Sequence, residues 1–522
     1  MKSILLTRLT LLLGLALPII SAHAAFDAGS NSFAGASEIL IGSDNFSAAT
    51  DLTAFTAEPG EDSHHPLAAP ADTAIKSAWW KWVATDDGYC TVDTFRNPSA
   101  ANFVKDTVIS VYTGNAVNNL IRLGGNDDHS YNAFKVDNAL SSYSFYAVKG
   151  NTYHIAVDGF SAGSITPTSN KVVLQLRLLP LRKVTRMGIF ATALQSNALG
   201  QITLNMTPTG ALSGKLLYGS KTYAFAGVFG VNGYYQATFA QKGVPGALPI
   251  TMLIDGTGDG LAQLTLGASG IGLSNLPEQV LFTPQNLNTT TGTYTAYIDG
   301  SGDPMVGGDG SFAFTIKTTG AITGTITAPD GISTPFSAAL LKNPASGKYN
   351  FLAYKSLAAG KSALAFVGEV EEDGSTDLIA GNVLYVRTAP TNGAIFYPQG
   401  LAAQLPMKGS TYTKPAAGTR ALGFLNPNGT GTLSVTNSGG ELAGSFMEGL
   451  TLSTANKFTF NSLVRKPSLV LNITTGVVTG SITEPAGKKR TIKGVLTRDA
   501  GVPVLRGYVS GFTRNIAMKV AP

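Results

Sequence analysis

The side chains best placed to do chemistry in this sequence are oxygen donors between residues 58 and 128. Asn126-Asp127-Asp128 sets three such donors in a row, Asp106 stands just ahead of a strand-like run, and Glu58 and Glu61 share a loop. Calcium is a hard ion that takes roughly six to eight oxygen ligands, usually carboxylates and carbonyls gathered from several loops. Strand order in a β-fold can bring some of Glu58, Glu61, Asp93, Asp106, Asn126, Asp127 and Asp128 to one edge of the sandwich, which makes calcium the candidate cofactor there. The competing reading is that these Asn and Asp side chains bond their own backbone and shape turns.

Other patterns carry less. Asp255-Gly256-Thr257-Gly258-Asp259-Gly260, echoed at Asp299-Gly300-Ser301-Gly302-Asp303, resembles the opening of an EF-hand loop. Leu266 stands where that loop needs a bidentate Glu, so a hairpin turn is the better reading. Zinc calls for His or Cys at set spacings. His64 and His65 are adjacent, would diverge on a strand, and could share an ion only from a loop, with His129 as a third ligand. No nucleophile elbow is expected and no local pattern marks a glycosidase carboxylate pair, although such a pair, like a Ser–His–Asp set, is defined by geometry and can arise from any chain order. In Trp79-Trp80-Lys81-Trp82, period-two alternation puts Trp80 and Trp82 on one face, as core anchors, and leaves Trp79 as a candidate sugar platform.

These residues sit in a chain built for export and for β-structure. Lys2 and Arg8 flank an apolar run from Leu9 to Ile20 that ends in Ala22-His23-Ala24, the pattern of a secretory signal peptide over 1–24. The mature chain is expected to be secreted, at the cell surface or in the periplasm, with no transmembrane anchor. Without Lys2 and Arg8 the net charge falls from +5 to about +3, which is no nucleic-acid signature. Sixty Gly and only 13% charged residues, with abundant Thr, Ser and Val, suit short strands and tight turns, so the chain reads as all-β. Cys90 is the only cysteine, which forbids an intramolecular disulfide, and its strand-like surroundings predict a buried, inert thiol.

Residues 26–180 form a first unit that holds every Trp and all the His outside the leader. Gly/Thr-rich repeats follow, divided at 186–290, 291–400 and 409–522. Thr209-Gly210-Ala211-Leu212-Ser213-Gly214 recurs as Thr319-Gly320-Ala321-Ile322-Thr323-Gly324, and a looser copy runs through Gly439-Gly440-Glu441-Leu442-Ala443-Gly444, with the pattern returning at Gly476–Gly480. Alternating strands ended by Gly turns predict repeated antiparallel β-meanders, whose apolar faces are buried by a facing sheet or by closure into a barrel.

Six elements of the first unit carry a resemblance to a known family. They are Glu58-Pro59-Gly60-Glu61 with His64, the Trp79–Trp82 run, Val92-Asp93-Thr94, Asp106-Thr107 with Val111-Tyr112-Thr113-Gly114, Asn126-Asp127-Asp128, and Tyr153–Gly159. Residues 35–178 resemble the bacterial pre-peptidase C-terminal domain. The resemblance implies a jelly-roll-like β-sandwich, found beside secreted peptidases and in collagen-binding modules, in some cases with calcium, and without catalytic activity of its own. The remainder resembles the β-repeats of bacterial exported proteins. The expected function is therefore a non-catalytic binding, adhesion or scaffold protein for an extracellular polysaccharide or protein surface. The alternative is a secreted hydrolase whose active site lies in the repeats.

Overall fold

The computed structural model describes residues 28–39, 45–65, 73–95, 102–128, 139–190, 200–231, 233–241, 248–257, 260–267, 269–282, 287–342, 347–357, 362–372, 376–390, 395–436, 440–461 and 464–522. The expected leader, 1–24, and His129 lie outside the described residues. The described chain is all-β, with only two short 3-10 turns, Val117–Asn119 and Ala421–Gly423.

The first unit packs two sheets face to face. One runs in the order Ala78–Val83, Thr152–Gly159, Thr107–Thr113, Ile121–Asn126, and the short Ser37–Glu38 adds to it in parallel. The other runs Asn45–Asp51, Ser169–Pro180, Gly88–Asp93, Ser142–Ala147. This alternation of eight strands between two sheets is jelly-roll order. Trp80 and Trp82 anchor the core between the sheets, together with Ile109, Val157 and Leu176. Trp79 points the other way, yet it is also fully buried, because the segment around Phe33 and the loop around His64 cover that outer face. The sugar platform considered at Trp79 is thus absent.

Cys90 lies in the same core, and burial pushes its thiol well above the ordinary range. A thiol-reactive dye should therefore leave the folded protein unlabelled and modify one thiol per chain after unfolding in guanidinium. Rapid labelling of the native protein would show that this strand is not where it is described.

Each later unit is a meander of eight strands, but the three close differently. In the second, strands from Gly292–Ile298 to Leu401–Thr411 pair each with the next, and the last returns to the first. That is a closed up-and-down barrel, of a size that side chains alone can fill. Phe312, Phe314, Phe336, Phe351 and Phe366 fill it. The third meander, Thr430–Val435 to Ile516–Ala521, also returns to its first strand, and only the bridge Lys457↔Val470 spans its remaining seam. The first, Val184–Phe190 to Ser269–Asn275, stays split into two four-stranded sheets around one shared core. At one seam Tyr235 lies over Gly227 and donates its hydroxyl to the Ala226 carbonyl at 3.1 Å.

The repeated motif has a steric cause. Gly210, Gly320 and Gly476 hold φ of +74°, +72° and +73° in the turns, where a side chain is strained. Four residues on, a Cβ at Gly214, Gly324 or Gly480 would lie 2.3, 2.4 or 2.0 Å from a carbonyl oxygen of the neighbouring strand. The looser copy at Gly440–Gly444 forms bends and no strand, so the third meander carries its structural equivalent at Gly476–Gly480.

The units are fastened to one another. Arg177 of the jelly roll reaches Asp93 at 2.8 Å and, in the first meander, Asp255 at 3.0 Å and the Tyr234 hydroxyl at 2.6 Å. The strand Glu278–Leu281 joins the sheet of the first meander to the barrel of the second meander. Between the two barrels, the Thr295 hydroxyl donates to the Leu496 carbonyl and the Thr497 hydroxyl to the Thr295 carbonyl, at 2.8 and 2.7 Å.

Candidate metal centre

Antiparallel pairing explains how distant carboxylates meet at the edge of the jelly roll. Ile109 of Thr107–Thr113 lies opposite Asn126, so the residues after Asn126 run past the start of the strand that Asp106 precedes. Asp106, Asp127 and Asp128 come together there, each offering a carboxylate oxygen within 4.8 Å of the others. Asp127 faces two ways: its Oδ2 lies 3.0 Å from His65 Nε2, while its Oδ1 is buried and has no hydrogen-bond partner among the described residues.

The other expected ligands are not part of this cluster. Asn126 clamps the turn, its Oδ1 accepting from Ser142 N at 2.9 Å and its Nδ2 donating to the Asp128 carbonyl at 2.9 Å. Glu58 accepts from Phe33 N at 2.5 Å. Glu61 is buried under the outer face of the sandwich, where His64 Nε2 at 3.0 Å, the Ser77 hydroxyl and Trp79 Nε1 at 2.8 Å all meet Oε1. Burial pushes the Glu61 carboxyl up, but the hydrogen bonds from His64 and Ser77 outweigh it and hold the group below its ordinary range. Glu58 and Glu61 are thus engaged in loop structure, and the carboxylates that come together are those of Asp106, Asp127 and Asp128.

The donor set that remains suits a hard cation. Three carboxylates, one with an unpaired buried oxygen, supply negative charge, and carbonyl or water oxygens would have to complete the coordination of calcium. Soft or borderline zinc is served poorly. His64 is spent on Glu61 and, at 2.8 Å, on the Tyr112 hydroxyl, so it and His65 are directed at different groups. The EF-like segments are turns. Asp255 caps Thr257 N at 2.9 Å and binds Arg177, Asp299 accepts from Ser301 N at 3.2 Å, and Asp303 caps Met305 N at 2.8 Å. Asp259 lies outside the described residues.

Two arrangements with hydrolase overtones resolve into structure. Ser77, His64 and Glu61 meet, but the serine hydroxyl donates to the carboxylate and not to the imidazole, which leaves no base for a nucleophile. Gly159-Phe160-Ser161-Ala162-Gly163 does carry the Gly-x-Ser-x-Gly spacing, against the expectation of none. A nucleophile elbow is a strand-to-helix turn. Here the strand Thr152–Gly159 leads through turns to another strand, and the exposed Ser161 shares its hydroxyl with Ser164 at 3.2 Å.

Beside the carboxylate cluster lies a cleft of about 360 Å³ whose lining includes His65, Thr73, Asp158 and Phe160. Asp158 is buried and accepts from Ile75 N, Lys76 N and Gly159 N at 2.7, 2.9 and 2.7 Å, which pins the cleft wall to the strand Thr152–Gly159. Burial still pushes its carboxyl above the ordinary range. Phe160 is the residue that sequence reasoning passed over: it follows the strand and stands 45% exposed. Comparison with protein-family models, with curated proteins and with solved structures gives no match for this chain.

Proposed function

We propose that the protein is an exported, non-catalytic binding scaffold of the cell surface or periplasm, with calcium held at the edge of its jelly roll by Asp106, Asp127 and Asp128. The observation that carries this reading is the fate of the polar groups around that edge. Glu61, His64, Ser77 and Asp158 are consumed in holding loops, whereas Asp127 keeps a buried oxygen without a donor among the described residues, beside two more carboxylates. The resemblance of residues 35–178 to pre-peptidase C-terminal domains points the same way. A cation there would neutralise three converging charges and tie the start of Thr107–Thr113 to the end of Ile121–Asn126.

An ion bound only by the folded state raises its stability, by about 2.7 kcal/mol at a hundredfold excess over its dissociation constant. The melting transition of the jelly roll should therefore move down when calcium is replaced by chelator. The Asp127→Asn variant should melt alike in both buffers. An identical midpoint for the unsubstituted protein with calcium and with chelator removes the ion from the proposal.

A further inference from the structure

We infer that the cleft beside the carboxylate cluster is a subsite for one uncharged pyranose ring of a polysaccharide. This rests on reading the protein as a binding scaffold and names what that scaffold holds. A pyranose presents an apolar C–H face and a rim of hydroxyls, so it needs an aromatic surface next to hydrogen-bonding groups. The cleft supplies both. The exposed Phe160 ring has the His65 imidazole tilted against it at 5.3 Å and 56°, and Thr73 lies in the lining. Ligand sites are concave and combine such apolar surface with a few fixed polar groups.

The polar side is preorganised. Asp127 holds His65 Nε2 at 3.0 Å, and Asp158 fixes the wall through three backbone amides, so little ordering remains to oppose binding. Charge selects the ligand. Among the described residues the lining contains the Asp158 carboxylate and neither Lys nor Arg. The Arg122 guanidinium is committed to the carbonyls of Ser63 and His65 and to the Tyr112 hydroxyl. A uronate or a sulfated sugar would meet the Asp158 carboxylate with no described Lys or Arg in the lining to pair with, which favours an uncharged ring.

Saturation-transfer NMR on the mature full chain, with glucose, galactose, mannose and N-acetylglucosamine as separate probes, tests the inference. At least one should show transfer from the protein. Losing the aromatic contact in Phe160→Ala should weaken that binding about five- to tenfold. Tyr146→Ala, which removes another half-exposed ring from the opposite sheet, should leave the signal unchanged, and an unaltered melting midpoint confirms that each variant folds. Silence from all four sugars, or equal binding by Phe160→Ala, overturns the subsite. Calcium is scored separately. A chelator-sensitive melt without sugar binding sinks the subsite alone, and Phe160-dependent binding with a chelator-insensitive melt sinks the ion alone.

Discussion

Replacing Arg506 by Met is expected to destabilise the joint between the two barrels by about 3–5 kcal/mol, the usual cost of removing one partner from a buried ion pair. Arg506 Nε meets Asp309 Oδ2 at 2.8 Å, its Nη2 meets Asp299 at 2.8 Å and Ser301 at 3.1 Å, and its guanidinium lies 4.8 Å above the Tyr297 ring. The Asp309 side chain is wholly buried, and without Arg506 only Gly300 N, at 3.0 Å, would still bond it.

The same pair sets a pH dependence. Burial pushes the Asp309 carboxyl up to about 7, with Arg506 pulling the other way. A carboxyl raised on folding adds stability that is complete below its unfolded value, near 4, and is lost as pH rises through about 7. In Arg506→Met the carboxyl rises further, so the deficit should be larger at pH 8 than at pH 5, by up to about 1.4 kcal/mol. Denaturant unfolding of both proteins at these two values measures it. Adding Asp309→Leu to Arg506→Met should recover much of the loss, because an apolar pair removes the stranded charge. A deficit below about 1 kcal/mol at pH 8 would place this joint among exposed ion pairs of little consequence.

The second large effect belongs to the closed barrel, where Phe366→Ala should cost about 3–5 kcal/mol. Phe366 is 1% exposed and packs edge-on against Phe312 at 5.1 Å, Phe336 at 5.5 Å and Phe351 at 6.1 Å. Such pairs add about 0.5–1.5 kcal/mol each beyond the area they bury. These rings come from four different strands, so they converge only if the sheet has rolled up on itself. The surface substitution Val367→Ala, one residue on and facing outward, should cost no more than about 0.5 kcal/mol. Equal effects at the two positions would mean that the ring is not closed around a filled interior.

The alternation of apolar and polar residues, and the Gly and Thr that punctuate it, suffices to mark this chain as all-β. Period-two patterning is a local property, and it also assigns Trp80 and Trp82 to one face. The recurring Gly210/Gly214 spacing is legible for the same reason, since a turn with positive φ and a strand too close for a Cβ each restrict a single residue. What the neighbours do is not local. Whether a meander closes depends on the return of its last strand, as Leu401–Thr411 pairs with Gly292–Ile298 and as the first meander fails to pair across its seams. Trp79 is covered by a segment some 46 residues away, at Phe33, which alternation within its own strand does not reveal.

The candidate site divides along the same line. Asp106, Asp127 and Asp128 could be listed from their type, but the register of Ile109 against Asn126 alone decides that these three converge. Glu58 and Glu61 lie on neither of those strands and are held by Phe33, His64, Ser77 and Trp79. Side-chain chemistry is carried by each residue separately and can be read one position at a time. Convergence is a property of backbone hydrogen bonds between segments far apart in the chain, so only the folded sheet determines which carboxylates come together and which aromatic ring faces solvent.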